Sequence, residues 1–217
     1  MPDYSKAIRH LKKCDPVLRS VIARVGRCEL HLERETNQFG ALVDAIIYQQ
    51  LAYKAAQTIS RRFRQLYGAR YGAGPGRLPA PDELLRTPRR KLRAAGLSRQ
   101  KIGYLRDLAR KASDGTLALG RFGCMLDDAV IENVTQVKGI GRWTAEMFLI
   151  FSLDRRDVLP VDDLGLQYGF KEAYGLRALP SAKKMLKLGE AWRPYRSIAT
   201  WYLWKVRRLQ SKTAGAG

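Results

Sequence analysis

Hydrophobic residues along most of this chain recur at the spacing of one face of an α-helix. In residues 99–112, Ile102, Leu105, Leu108 and Ala109 fall on one side, while arginine and lysine occupy the other. Helix-forming residues dominate the sequence, and runs of β-branched residues are scarce. The pattern therefore predicts an all-α fold.

Glycine, proline and capping residues divide this pattern into separate helices. Pro16 restricts the residue before it and separates the first two helices. Gly96 is placed as a helix-terminating glycine, and Ser98 follows it as the N-cap of the next helix. Residues 68–80 are rich in glycine and proline, so we expect an exposed loop there.

Two consecutive glutamines, Gln49 and Gln50, interrupt the helical pattern of residues 39–67 between Tyr48 and Leu51. One interpretation is an exposed junction between two helices. The other is a loop whose amide and apolar tips enter a groove of DNA. The pattern by itself leaves both open.

A turn of two glycines, Gly139-Ile140-Gly141, joins two predicted helices over residues 126–136 and 142–151. Glycines at this spacing allow positive φ and close backbone approach, and the following helix presents its positive end, which suits a phosphate. A dinucleotide-binding motif needs a preceding strand, which is absent from this pattern. Two adjacent carboxylates, Asp162 and Asp163, follow about twenty residues later, at the start of another predicted helix.

The net charge of the chain indicates which kind of molecule it binds. The chain has 40 Lys and Arg against 20 Asp and Glu, which gives a formal charge of +20 over 217 residues. Such an excess predicts a polyanionic partner, most plausibly nucleic acid. No apolar run reaches the length of a membrane span, so we expect no membrane partner.

The cysteines argue against metal centres built on thiolates. Cys14, Cys28 and Cys124 are far apart, without the paired spacing of a zinc site. Three cysteines are also too few for a four-cysteine cluster, so we expect no iron–sulfur cluster.

With these features in place, a resemblance is evident. Residues 137–145 (VKGIGRWTA), followed by Asp162 and Asp163, resemble the helix–hairpin–helix, Gly/Pro-rich loop and aspartate signature (HhH-GPD) of the base-excision DNA glycosylases. Within that superfamily, the chain resembles the 3-methyladenine DNA glycosylase II group of AlkA-type and Mag-type alkylpurine glycosylases. Residues 46–56, 96–101 and 192–197, together with Trp204, fit the same group, and the resemblance covers about residues 35–210.

The resemblance implies an all-α fold of two helical lobes around a DNA-binding cleft. We expect a single domain over residues 1–212. Its first lobe would comprise about residues 36–128 plus a hairpin at 129–151, and its second lobe about residues 1–35 with 152–212. Residues 213–217 are expected to form a disordered tail.

The same resemblance assigns the catalytic carboxylate to Asp163. Cleavage of an N-glycosidic bond builds oxocarbenium character on the sugar, and a fixed anion stabilises that charge and orients or deprotonates water. Because Asp162 and Asp163 are adjacent, we expect one to cap the helix of residues 164–174 and the other to face the cleft. Asp162 would then be a neighbour of the base pocket.

Aromatic residues would complete that pocket. Trp143, Trp204 and Tyr48 would offer electron-rich faces to a cationic base, each contributing about 0.5–2 kcal/mol, while Trp201 is expected in the core. Bifunctional relatives place a lysine nucleophile where this chain has Trp143, which predicts a monofunctional hydrolase without AP-lyase activity.

Further residues are implied to contact DNA. Gln50 matches the side chain that fills the gap left by a flipped base, with Leu51 as the competing candidate. Lys138 stands where many relatives have proline and adds a cation near the phosphate. The residues implied to bind phosphate are Lys138, Gly139, Ile140, Gly141, Arg142 and Thr144. The main-chain carbonyls implied to coordinate a structural Na⁺ or K⁺ are those of Thr135, Val137 and Gly139.

The expected activity is hydrolysis of the N-glycosidic bond of alkylated purines, of the 3-methyladenine and 7-methylguanine type, flipped out of double-stranded DNA. No cofactor is required, and we expect a monomer in the cytoplasm, associated with a bacterial nucleoid, or in a eukaryotic nucleus. Two alternatives remain. One is a glycosylase for hypoxanthine, ethenoadenine or uracil, and the other is a non-catalytic helix–hairpin–helix DNA-binding protein.

Overall fold

The computed structural model describes residues 3–30, 37–68 and 76–213, with side chains described as far as residue 206. Within these ranges all regular structure is helical, which confirms the predicted fold class. The helices are α1 (Ser5–Cys14), α2 (Pro16–Val25), α3 (Gln38–Tyr48), α4 (Tyr53–Gln65), α5 (Pro81–Arg86), α6 (Arg89–Ala94), α7 (Arg99–Ser113), α8 (Asp127–Thr135), α9 (Arg142–Phe151), α10 (Leu164–Ala173), α11 (Ala182–Gly189) and α12 (Arg196–Thr213). None of the described helices is long and apolar enough to cross a membrane.

The local signals place most helix ends correctly. Ser98 caps α7 by accepting a hydrogen bond from the backbone N–H of Lys101 at 3.1 Å. Gly96 has a φ of +99°, the left-handed conformation of a helix-terminating glycine. The last helix, α12, begins at Arg196. Pro194 has no N–H to donate and restricts the residue before it, so the helix begins after it.

The chain divides into two compact units. The first comprises Met1–Leu32 with Leu149–Gly217, and the second comprises Glu33–Phe148. The lobe boundaries expected from the sequence stay predictions. Helix α12 extends to Thr213, the first residue of the predicted tail, and residues 214–217 lie outside the described part of the chain.

In the second unit, α7 packs against α3 and α5, and α3 also packs against α4. The predicted face of α7 is buried at Ile102, Leu105, Leu108 and Ala109. Helix α3 ends at Tyr48 and α4 begins at Tyr53, so the two glutamines fall in the connection between them. This connection, the one between α8 and α9, and the first turn of α9 carry the residues of the unit that are predicted to intercalate or to bind phosphate.

In the first unit, α12 packs against α10 and α2. The approach to α10 is close, because a Cβ at Gly169 would lie 2.4 Å from the backbone oxygen of Leu203. A buried carboxylate, Asp15, ties the unit together. Its Oδ1 caps α2, and its Oδ2 accepts hydrogen bonds from Tyr174 Oη at 2.5 Å and from Trp192 Nε1 at 2.9 Å.

Candidate functional site

The connection between α8 and α9, residues 136–141, is a tight hairpin in which the two glycines have different structural roles. Gly139 has a φ of +83°, and a Cβ there would lie 2.2 Å from the ring of Tyr104. Gly141 has no positive φ, and a Cβ there would have no neighbour within 4 Å. The protein's own packing therefore requires the first glycine, whereas the second leaves room for an approaching partner.

A buried carboxylate on α7 supports this hairpin. Asp107 Oδ2 accepts a hydrogen bond from the backbone N–H of Lys138 at 3.0 Å and another from Lys111 Nζ at 2.7 Å. Burial alone raises the pKa of Asp107, but the hydrogen bonds from Lys111 and Lys138 and their positive charges lower it overall. Asp107 thus holds the start of the hairpin as a charged acceptor.

The residues predicted to bind phosphate differ in exposure. Lys138, Gly139, Gly141 and Arg142 are exposed. Ile140 is buried, and its N–H donates to the carbonyl of Val137 at 3.1 Å within the turn.

The two side chains at the start of α9 make contacts within the protein. Thr144 is buried, with its Oγ1 3.5 Å from Gln49 Nε2. Arg142 Nε donates to Glu146 Oε1 at 3.1 Å, although its side chain stays largely exposed.

Two of the three carbonyls predicted to hold a monovalent cation accept hydrogen bonds within the protein. The Val137 oxygen accepts the N–H of Ile140 at 3.1 Å, and the Gly139 oxygen accepts Gln49 Nε2 at 2.9 Å. A carbonyl oxygen has two lone pairs, so each retains one for a second interaction. Together with Thr135, these oxygens fit the hard donors that an alkali cation takes.

The connection between α3 and α4, residues 49–52, carries the predicted intercalating side chains and is called the wedge loop below. Gln50 is exposed and has a φ of +54°, a conformation that is uncommon for a residue with a side chain. Leu51 is 39% exposed. An exposed apolar side chain beside a strained backbone is typical of a binding loop.

In the first unit, Asp163 is the N-cap of α10. Its Oδ1 accepts the backbone N–H of Leu166 at 2.6 Å and Trp204 Nε1 at 2.8 Å. A Cβ at Gly165 would lie 3.1 Å from the same oxygen, so this glycine keeps the carboxylate uncrowded. One of the two carboxylates caps the helix, as expected, and it is Asp163, the predicted catalytic residue, whereas Asp162 is exposed.

Three side chains fix the loop that leads to Asp163. Ser197 Oγ donates to the carbonyl of Arg155 at 2.7 Å and accepts the N–H of Val158 at 2.9 Å. Arg196 Nε donates to Asp157 Oδ1 at 2.8 Å. Near the end of the loop, the amide side chain of α10 residue Gln167 donates to the carbonyl of Val161 at 2.9 Å. These contacts hold the backbone that precedes Asp163.

The predicted aromatic residues fall into both units. Trp204 stacks on Phe151, with ring centroids 6.0 Å apart and an angle of 13° between the rings. Trp201 is buried, which confirms its expected place in the core. Trp143 belongs to the second unit and is 46% exposed, in the first turn of α9. Tyr48, in the same unit, has its ring 6.0 Å from that of Tyr53.

Sequence reasoning missed the residues that support these groups. Asp107 is an acidic residue beside the apolar stripe of α7, which was a weak signal of a buried carboxylate. Gln49 and Lys101 fix the wedge loop through contacts with residues 90 and 52 positions away, respectively. No local pattern predicts contacts at such separations.

Comparison of the sequence with known proteins identifies a family to which this chain is similar. A family model described as "HhH-GPD superfamily base excision DNA repair protein" matches residues 43–194. The DNA-3-methyladenine glycosylase 1 of Schizosaccharomyces pombe is 35% identical over 211 residues, which cover 96% of this chain and 90% of that protein.

Solved structures agree. The S. pombe 3-methyladenine DNA glycosylase (Mag1), in complex with abasic DNA, superposes with a TM-score of 0.77 at 35% identity, over 93% of this chain and 96% of that one. A DNA-3-methyladenine glycosidase from Bacillus halodurans superposes with a TM-score of 0.84 at 39% identity, over 96% of this chain and 92% of that one. The hairpin, the capped aspartate and these similarities together establish that the chain belongs to the HhH-GPD superfamily of base excision DNA repair proteins.

Proposed function

We propose that this protein is a DNA-3-methyladenine glycosylase, which hydrolyses the N-glycosidic bond of alkylated purines in double-stranded DNA. The observation that carries the proposal is the Asp163 carboxylate, fixed by the N–H groups of Leu166 and Trp204. Relatives that this chain matches over nearly its whole length bear the name of that activity.

Asp163 is proposed to act on the sugar. As the bond between base and sugar breaks, positive charge develops on the sugar ring, and a pre-positioned anion stabilises it. The carboxylate also orients the attacking water and accepts its proton, while the electron pair of the broken bond leaves with the purine. An alkylated purine is already cationic, so the leaving group needs little protonation.

The hairpin is proposed to hold a phosphate of the DNA strand. The first N–H groups of α9 lack acceptors within the helix and carry the positive end of its dipole. Gly141, which has open space where a side chain would be, allows the phosphate to approach this backbone. The charge of +20 supplies general attraction to the duplex.

A monovalent cation is proposed to strengthen this hold. The carbonyls of Thr135, Val137 and Gly139 would hold it, and its positive charge would add to the attraction for the phosphate.

We also propose that the enzyme releases the base without cutting the strand. An AP-lyase needs an amine that forms a Schiff base with the opened sugar. The position that bears this lysine in bifunctional relatives is Trp143, whose indole has no nucleophilic amine. The exposed indole of Trp143 is instead proposed to contact the cationic base, as is the indole of Trp204.

The test is direct. Duplex DNA treated with a methylating agent is incubated with the enzyme, and the released bases are identified by chromatography. We expect free 3-methyladenine and 7-methylguanine, and no borohydride-trapped enzyme–DNA adduct on abasic DNA. Absence of any released base would refute the glycosylase, whereas a trapped adduct would refute only the monofunctional mechanism.

A further inference from the structure

The wedge loop is fixed from one side by a lysine of α7. Lys101 Nζ donates to the carbonyl of Ile47 at 2.6 Å and to that of Gln49 at 2.7 Å. These oxygens lie at the C-terminal end of α3, where carbonyls lack N–H donors within the helix and the dipole favours a cation. Partial burial of Lys101 lowers its pKa, because loss of water disfavours the charged ammonium.

From the other side, the loop is tied to the hairpin by the side chain of Gln49. Its Nε2 donates to the carbonyl of Gly139 at 2.9 Å and lies 3.5 Å from Thr144 Oγ1. Both partners belong to the segment proposed to hold the phosphate. Gln49 therefore has its backbone in the wedge loop and its side chain on the phosphate-binding turn.

The residue after Gln49 is the strained one. Gln50 keeps a φ of +54°, which a side-chain-bearing residue adopts only where its surroundings enforce it. The surroundings here are the Lys101 contacts on one side and the Gln49–Gly139 hydrogen bond on the other. Gln50 therefore directly follows the residue whose side chain donates a hydrogen bond to the hairpin.

We propose that Gln49 is a positioning residue that couples the grip of the hairpin on a phosphate to insertion of the wedge loop into the duplex. Lys101 holds the backbone of Gln49. A shift of the hairpin therefore moves the wedge loop through the side-chain amide of Gln49, and is not lost in a movement of the Gln49 backbone. The inference rests on the proposed glycosylase function and concerns the extrusion of the base, not the chemistry at Asp163. Gln49 itself does not touch the reacting atoms.

The test compares two duplexes that differ in the free energy needed to flip the damaged base out of the helix. In one, 7-methylguanine is paired with cytosine; in the other, it stands opposite an abasic-site analogue, where less pairing must be broken. Single-turnover rates are measured for wild type and Gln49→Ala, with 2-aminopurine beside the lesion as a fluorescent reporter of unstacking. Gln65→Ala is the matched control, since Gln65 is an exposed glutamine at the far end of α4, about 18 Å along the helix axis from its first residue.

We expect Gln49→Ala to lower the rate on the paired duplex about tenfold, which corresponds to about 1.4 kcal/mol, with a matching loss of the 2-aminopurine signal. On the duplex with the abasic analogue, its rate should lie within about twofold of wild type. Lys101→Met should show the same selectivity, and Lys101→Arg should restore the rate on the paired duplex.

The coupling would be overturned if Gln49→Ala lost the same rate on both duplexes or lost no rate on either. It would also be overturned if the rates of the variants simply followed their melting temperatures. The proposed function fails in a different way. If wild type excises the base from neither duplex, the glycosylase assignment falls and this inference falls with it.

Discussion

The two glycines of the hairpin should respond differently to the same substitution. In Gly139→Ala, the new Cβ would lie 2.2 Å from the Tyr104 ring, at a φ of +83°. The left-handed backbone costs about 1–2 kcal/mol for alanine, and forcing the ring aside costs about 1–3 kcal/mol. We therefore expect Gly139→Ala to lose about 2–5 kcal/mol of unfolding free energy, the sum of these two costs.

Gly141→Ala meets neither obstacle. The substitution should cost about 1 kcal/mol or less, because alanine is a poorer residue than glycine at the start of a helix. Its effect should fall on DNA binding, because the methyl group occupies the space through which a phosphate reaches the backbone. A lost hydrogen bond to a charged group is worth about 1.5–3 kcal/mol, so affinity should fall about tenfold or more.

Urea unfolding followed by circular dichroism measures the first quantity, and fluorescence anisotropy with a labelled duplex measures the second. Tyr104→Ala separates the two costs at Gly139. In that background Gly139→Ala should lose only the backbone part, about 1–2 kcal/mol. The reasoning is refuted if Gly139→Ala is as stable as wild type, or if Gly141→Ala binds DNA with undiminished affinity.

Three other substitutions test the two buried carboxylates and the carboxylate proposed to be catalytic. Asp163→Asn keeps an N-cap acceptor, so the free energy of unfolding should change little. The variant loses a charge that is worth about 4 kcal/mol at about 4 Å near a protein surface, so single-turnover rates should fall about 10³-fold. A variant that retains wild-type rates would exclude the proposed role of Asp163. Asp15→Asn replaces an acceptor of the Trp192 and Tyr174 donors, so urea unfolding should show a loss of about 2–4 kcal/mol, and an unchanged midpoint would contradict the structural role. For Asp107, whose pKa is lowered from 3.8 by hydrogen bonds, the stability from the ionised form is present above pH 3.8 and is lost as the pH falls through the lower folded-state pKa. The difference in unfolding free energy between wild type and Asp107→Asn should thus be constant from about pH 7 to 5 and shrink below pH 3.8. A difference that grows on acidification would refute a lowered pKa of Asp107.

Local chemistry made several features predictable. The Ser98 cap, the left-handed Gly96 and the break between α3 and α4 follow from residue types whose conformational preferences act within a few positions. The same holds for the glycine hairpin, where the need for positive φ at Gly139 could be expected. The capping role of Asp163 was only half predicted, because adjacent carboxylates offer two candidates with equal intrinsic preference.

Contacts across long stretches of sequence could not be predicted in this way. Asp107 reaches Lys138 across 31 positions, and Gln49 reaches Gly139 across 90. Trp204 was expected as an aromatic face for the base, but its indole N–H also donates to the Asp163 carboxylate. These pairings depend on tertiary packing, which brings together side chains whose local sequence is unremarkable.

The most direct test of the central claim uses a duplex with one 7-methylguanine in an end-labelled strand. If Asp163 drives hydrolysis of the glycosidic bond, wild type should release the free base and leave an intact strand that breaks only after alkali, while Asp163→Asn should release about 10³-fold less per unit time. Equal release by both proteins, or no release by wild type, would contradict the account.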